Sequence, residues 1–121
     1  MIEHVSFPVK NIKKAKKFYA AALKPLGYKQ KYDWGTAAGY MAEGHTSFII
    51  AQTKKMVPSH IAFRARGKKA VNDFHKAALK AGGKDHGKPG YRDYSPGYYA
   101  AFAYDSDGNN LEAVWFDPKK A

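Results

Sequence analysis

The chain contains no cysteine, which excludes disulfides, thiolate-bound zinc and cysteine nucleophiles together. Any metal must therefore be held by His, Asp or Glu. No apolar run approaches the ~20 residues needed to cross a bilayer, and the opening MIEHVSFPVK lacks the basic start and apolar stretch of a secretion signal. A cytoplasmic protein with no membrane partner is expected. Acidic side chains are also scarce, with 10 Asp and Glu against 21 Lys and Arg, a formal net charge of +11. Such an excess favours anionic partners, from small carboxylates and phosphates upward. The lysines are spread through KNIKKAKK, YKQKY, QTKK, RARGKK and PKK rather than gathered into a stripe interleaved with aromatics. Nucleic acid is therefore not expected as the main partner.

What is present is organised by a repeat. With 121 residues, 45% of them hydrophobic, the chain suits one domain over 1–121. Within it, the segment from His4 to Gly27 matches that from His60 to Gly83 at a constant offset of 56 residues. His4 falls on His60, Phe7 on Phe63, Phe18 on Phe74, Leu23 on Leu79 and Gly27 on Gly83. Two copies of one module follow, the first over about 1–54 and the second over about 55–121.

Each copy opens on an alternating run, EHVSFPV and SHIAFRA, which predicts a strand with one apolar face. A helix comes next. In the first copy Asn11 is placed to cap it, and Ile12, Ala15, Phe18, Tyr19, Ala22, Leu23 and Leu26 recur at helical spacing up to Gly27. In the second, Val71, Phe74, Ala78 and Leu79 precede the stop at Gly82 and Gly83. Three strands are expected after the first helix, near 28–33, 36–41 and 45–52. After the second come a weak strand near Lys84 and two stronger ones at 98–104 and 110–116. The intervening GKPGYRDYSPGYY is expected to be a long ordered loop. Two strand-helix-strand-strand-strand modules make an α+β fold, a curved mixed sheet with the helices outside.

Strand alternation then assigns faces. Val5, Phe7 and Val9 pack toward the first helix, as do Ile61 and Phe63 toward the second, so His4 and His60 fall on the opposite face. On the last strand, Glu112 alternates with Leu111 and Ala113 and can share the histidine face. A carboxylate in so apolar a strand costs several kcal/mol unless it is paired, solvated or metal-bound. Two His and one carboxylate on one face form a metal-ligand set that leaves positions open for water or substrate.

The paired modules, a His at the start of each, and the ending DSDGNNLEAV resemble the vicinal oxygen chelate superfamily. Its members include glyoxalase I, extradiol dioxygenases, fosfomycin resistance proteins and bleomycin resistance proteins. The resemblance spans essentially the whole chain. It implies a cleft, a homodimer, and one divalent ion (Zn, Fe, Mn or Ni) held by His4, His60 and Glu112, whether from one chain or two. Aligned through Gly44 and Gly108, Phe48 stands opposite Glu112, where glyoxalase I supplies another Glu. That departure separates the chain from the glyoxalase reaction. The remaining three ligands are similar to those of extradiol dioxygenases, with Fe(II), and of fosfomycin-modifying thiol transferases, with Mn(II). The implied function is a metal-dependent enzyme acting on a small anionic substrate chelated through adjacent oxygens, whether as lyase, dioxygenase or thiol transferase. The alternative is a metal-free binding or sequestering protein of the same fold. A cationic drug is a poor match for its charge.

Three further residues are candidate substrate contacts. Arg64 shares the parity of His60 and offers a fork of donors to a carboxylate or phosphate. Arg92 and Tyr99 lie in or beside the tyrosine-rich loop, and Tyr99 shares the Glu112 face if Asp105 pairs with Asn110. His45, His75 and His86 are read as structural or solvated.

Overall fold

A computed structural model of the chain describes residues 2–120. Its elements follow the repeat. Module one comprises β1 (Val5–Val9), α1 (Ile12–Leu23), a 3-10 turn (Lys24–Leu26), β2 (Lys29–Asp33), β3 (Ala37–Ala42) and β4 (His45–Gln52). Module two comprises β5 (His60–Arg64), α2 (Lys68–Lys80), β6 (Lys84–Tyr91), β7 (Tyr98–Tyr104) and β8 (Asn110–Phe116). Each module forms a four-stranded mixed sheet, in the orders β1-β4-β3-β2 and β5-β8-β7-β6. The pairs β1-β4 and β5-β8 are parallel and the others antiparallel. Among the described residues, no helix is long and apolar enough to cross a membrane.

The helices form where the apolar spacing placed them. Asn11 caps α1, its Oδ1 accepting from Lys14 N at 3.0 Å. Ile12, Ala15, Phe18, Tyr19, Ala22 and Leu23 are all buried. In α2, Val71, Phe74 and Ala78 are buried, but Leu79 turns to solvent and His75 goes in. The imidazole is satisfied there by Asp85, with Nε2 and Oδ1 2.9 Å apart. The core lies between helices and sheets, and Phe48 and Phe63 join its halves edge to face at 5.1 Å.

Two expectations need correction. The first part of the segment read as one long loop is strand: β6 runs from Lys84 through the Gly-Lys-Pro-Gly stretch to Tyr91, and only 92–97 is loop. It lies on a sheet edge, where Pro89 leaves no interior ladder bond unmade. Register shifts at Asp85/Gly87 and Gly87/Gly90 absorb the irregular residues. The second correction concerns Phe48. Val5 pairs with Phe48 and Ile61 with Leu111, so Phe48 is the counterpart of Leu111; Ile49, paired with Ser6, is the counterpart of Glu112, paired with Ala62. A register shift between Tyr40 and Met41 takes up one additional β4 residue, whereas β7-β8 runs without interruption. Phe48 is thus a core residue, and the hydrocarbon at the fourth ligand position is Ile49.

The modules are tied together by the DSDGNN turn before β8. The buried Asp105 carboxylate accepts from Tyr19 Oη of α1 at 2.6 Å, from Asn109 Nδ2 at 2.8 Å, and from the backbone N of Asp107 and Asn109 at 2.9 Å each. Asn109, itself fully buried, donates from Nδ2 to Pro8 O at 2.9 Å and accepts at Oδ1 from Ser59 N at 2.9 Å. Asp107 Oδ2 accepts from Lys10 N at 3.0 Å. Strand β1, helix α1 and the start of β5 therefore all hold the turn from which β8 departs.

Removing the Asp105 carboxylate strands the Tyr19 hydroxyl and the Asn109 amide in the interior. Asp105→Ala is expected to lower the unfolding free energy by about 3–5 kcal/mol, whereas Ser106→Ala in the exposed part of the turn stays within about 0.5 kcal/mol; urea unfolding measures both, and equal small losses contradict the interlock. A pH dependence accompanies it. Burial first, then the neighbouring Asp105 carboxylate, push the Tyr19 phenol well above its ordinary value. The folded state therefore keeps a proton that the unfolded chain releases near pH ~10. Stability from this group is intact below that pH and falls as pH rises above it, by up to about 1.4 kcal/mol per unit. Tyr19→Phe is expected to flatten the alkaline fall of the urea midpoint.

Candidate functional site

Glu112 is the one carboxylate of β8 and is only 3% exposed. Its neighbours answer for it. On the sheet face turned away from the helices, β5 offers His60, β7 offers Tyr98 and Phe102, and β8 offers Asn110 and Glu112. Tyr98 Oη donates to Glu112 Oε2. His60 Nε2 stands 3.1 Å from Glu112 Oε1. The other imidazole nitrogen, Nδ1, lies 2.9 Å from Asn110 O. A carbonyl oxygen only accepts, so Nδ1 carries the hydrogen of that bond. The Nε2 lone pair of the neutral ring then points at an oxygen lone pair of Glu112. Two acceptors in that arrangement require a cation between them, either a proton or a metal ion.

The donor set fits a divalent metal. Ligand atoms bound at about 2.1 Å and about 90–109° to one another are separated by about 3.0–3.4 Å, which includes the 3.1 Å observed between Nε2 and Oε1. Mixed imidazole and carboxylate donors suit first-row divalent ions. Asn110 Oδ1, on the same strand face as Glu112, is a buried side-chain acceptor with no hydrogen-bond partner among the described residues. Such an atom calls for a water, ion or ligand group to satisfy it.

The remaining candidates separate cleanly. Arg92 reaches the site: its guanidinium lies 5.4 Å from the Phe102 ring centroid and donates from Nη1 to Gly90 O at 2.9 Å and from Nη2 to Lys88 O at 2.8 Å. It rests against the β6 backbone, where a Cβ on Gly87 would meet Nη2 at 3.1 Å and one on Gly90 would meet Nη1 at 3.1 Å. The guanidinium is thus held with donors to spare. Arg64 is exposed on the His60 face, 5.7 Å above the Phe116 ring. Tyr99 does not share that face. Tyr104, not Asp105, pairs with Asn110, and this one-residue difference turns Tyr99 into the core, where its hydroxyl donates to Asn72 Oδ1 at 2.7 Å. Tyr98 takes the place expected of it. Burial, and then the Glu112 bond, push the Tyr98 phenol up to about 12. The doubled tyrosine in PGYY marked the position, but only the register decides which ring faces Glu112.

His4 lies elsewhere in the chain. It precedes β1 and contacts the Glu3 carboxylate, whose other oxygen is 3.3 Å from His45 Nε2. Among the described residues, no group of three or more His, Asp and Glu side chains within one copy of the chain is arranged so that it could hold a metal ion. The open face of the module-one sheet instead carries aromatics. Tyr32 and Trp34 stack at 5.2 Å and 16°, both largely exposed. The indole covers Gly39, where a Cβ would come within 3.1 Å of it.

The glyoxalase/bleomycin resistance protein/dioxygenase superfamily model matches residues 1–113. No curated protein matches the sequence. Among solved structures, a glyoxalase/bleomycin resistance protein from Albidiferax ferrireducens T118 superposes with a TM-score of 0.81 at 27% identity, covering 93% of this chain and 97% of its own. A glyoxalase/bleomycin resistance protein/dioxygenase family enzyme from Burkholderia phytofirmans PsJN gives 0.75 at 15% identity, covering 96% and 98%. The fosfomycin resistance protein FosX from Listeria monocytogenes gives 0.72 at 16%, covering 99% and 96%. The last two likenesses concern the fold. With its two modules, its sheet order and this match over nearly its whole length, the chain belongs to the glyoxalase/bleomycin resistance protein/dioxygenase superfamily.

Proposed function

We propose that this protein is a divalent-metal-dependent enzyme acting on a small anionic substrate chelated through adjacent oxygens. His60 and Glu112 hold the ion, His4 of a second copy completes the set in a homodimer, and Arg92 and Arg64 bind the anionic group. The observation that supports this most is the convergence of His60 Nε2 and Glu112 Oε1 at 3.1 Å, with Nδ1 engaged on Asn110 O. The assignment of His4 to a second copy follows from its position apart from that pair.

When bound, the ion supplies a Lewis acid that stabilises negative charge on a substrate oxygen, the start shared by lyase, dioxygenase and thiol-transfer chemistry. The chain's own side chains do the rest. The Asn110 carbonyl holds His60 in one tautomer. Arg92, seated over Phe102 and the β6 glycines, offers fixed donors to a carboxylate or phosphate without reorganising. The net charge of +11 raises the local concentration of such anions. The donor set suits Zn, Fe, Mn or Ni.

A metal-free binding protein is the second reading, favoured by the exposed Tyr32–Trp34 stack, a platform for a flat ligand. The two differ in their response to a chelator. Removing metal abolishes activity and ligand binding under the first and leaves ligand affinity unchanged under the second.

Elemental analysis of the native protein is expected to find stoichiometric divalent metal, lost in His60→Ala, Glu112→Gln and His4→Ala; equal, negligible content in all four proteins sinks the proposal. Subunit mixing tests the shared site. His4→Ala and Glu112→Gln chains, unfolded and refolded together, are expected to recover about a quarter of the wild-type metal content, since half of randomly paired dimers are mixed and each carries one intact site. Recovery of none assigns all three ligands to one chain. Arg92→Lys keeps the charge but loses the fork, and is expected to weaken phosphate or oxalate binding about tenfold with metal content unchanged.

A further inference from the structure

Tyr98 has no counterpart among the expected site residues, yet it makes the closest contact with Glu112. Its phenol donates to Oε2, so that oxygen is occupied and turned from His60. Oε1 alone faces His60 Nε2, at 3.1 Å. The ring is fixed as well as the hydroxyl, edge to face with Phe116 at 5.3 Å and Tyr94 at 5.1 Å. On β7, Tyr98 pairs with Phe116, and on that sheet face only the small Ala100↔Val114 step separates it from Phe102↔Glu112. The phenol therefore reaches Glu112 along the sheet face instead of from the facing ladder position.

A carboxylate free at both oxygens can close on a cation with both of them and use up a position that substrate needs. One oxygen tied by a phenol cannot do so without breaking that bond. Hydrogen bonds to ligating groups orient them and set their affinity for metal. We propose that Tyr98 is a positioning residue that restricts Glu112 to donating through Oε1, keeping a second coordination position open for substrate. This rests on the metal reading above and specifies how its carboxylate is presented. Among the described residues no other group hydrogen-bonds to Oε2, so the restriction depends on this one hydroxyl.

Co(II) is the probe, because its visible absorption band reports the number and arrangement of its ligands. Metal-stripped wild type, Tyr98→Phe, Tyr94→Phe and Glu112→Gln are titrated with Co(II), following both affinity and band. Tyr98→Phe keeps the ring and its aromatic contacts and loses only the donor; Tyr98→Met, also without a donor, serves if the Phe variant does not fold. The expected result is a 10–100-fold weaker affinity in Tyr98→Phe with an altered band, and wild-type behaviour in Tyr94→Phe, whose ring lies in the same cluster without touching Glu112. Wild-type affinity and band in Tyr98→Phe, together with loss of Co(II) in Glu112→Gln, overturn the role of Tyr98 and leave the metal site standing. Absence of Co(II) uptake by the wild type overturns the metal site and the role of Tyr98 with it.

Discussion

The Asp105 carboxylate is the contact on which the rest of this structure depends. It is buried and accepts four hydrogen bonds, three from its own turn and one from Tyr19 of α1. A buried ion in that position is tolerated only with its partners in place, so the geometry of the DSDGNN turn and the docking of α1 are one condition. Asn109 extends the constraint to β1 and to the residue before β5 through Pro8 O and Ser59 N. The register in which β8 enters beside β5 is set there, and His60↔Asn110 and Ala62↔Glu112 follow from it. A slip of one residue would turn Glu112 into the core and Leu111 out.

The site is thus a consequence of the turn. Its chemistry is that of a desolvated carboxylate with one oxygen engaged by a phenol and the other facing an imidazole nitrogen. The two arginines stand on the same face, one exposed and one seated on β6. The general basic surface brings anions near, whereas Arg92, fixed by two carbonyls and a ring, can hold one in a defined place. The module-one face is of another kind, with a hydrocarbon, Ile49, at the position equivalent to Glu112 and an aromatic stack beyond it. The two modules share one strand order, yet their open faces differ at this position, carboxylate in one and hydrocarbon in the other.

Much of this was legible in the residues. The constant spacing of 56 between His4 and His60 identified the modules, and the helical spacing of apolar positions named the α1 core without error. Period-two alternation allowed Glu112 and His60 to share one face, and the β5-β8 register, His60↔Asn110 and Ala62↔Glu112, places them there. Where the residues misled, the cause was a count of one. A bulge in β4 displaced Phe48 from the Glu112 position to the core. Pairing of Asn110 with Tyr104 instead of Asp105 exchanged Tyr99 for Tyr98. Glycine and proline in GKPG read as a loop because an edge strand with bulges meets the same residue preferences as a turn.

By itself, then, the sequence determined the modules, the helices, the apolar face of each opening strand and the presence of a costly carboxylate, all of which depend on local periodicity and composition. Only the tertiary structure decided which tyrosine meets that carboxylate, which imidazole nitrogen is free, and that His4 stands apart from the pair. Those depend on ladder register and on which strands become neighbours. Register is a cooperative property of two strands and the turn between them, and no single strand carries it.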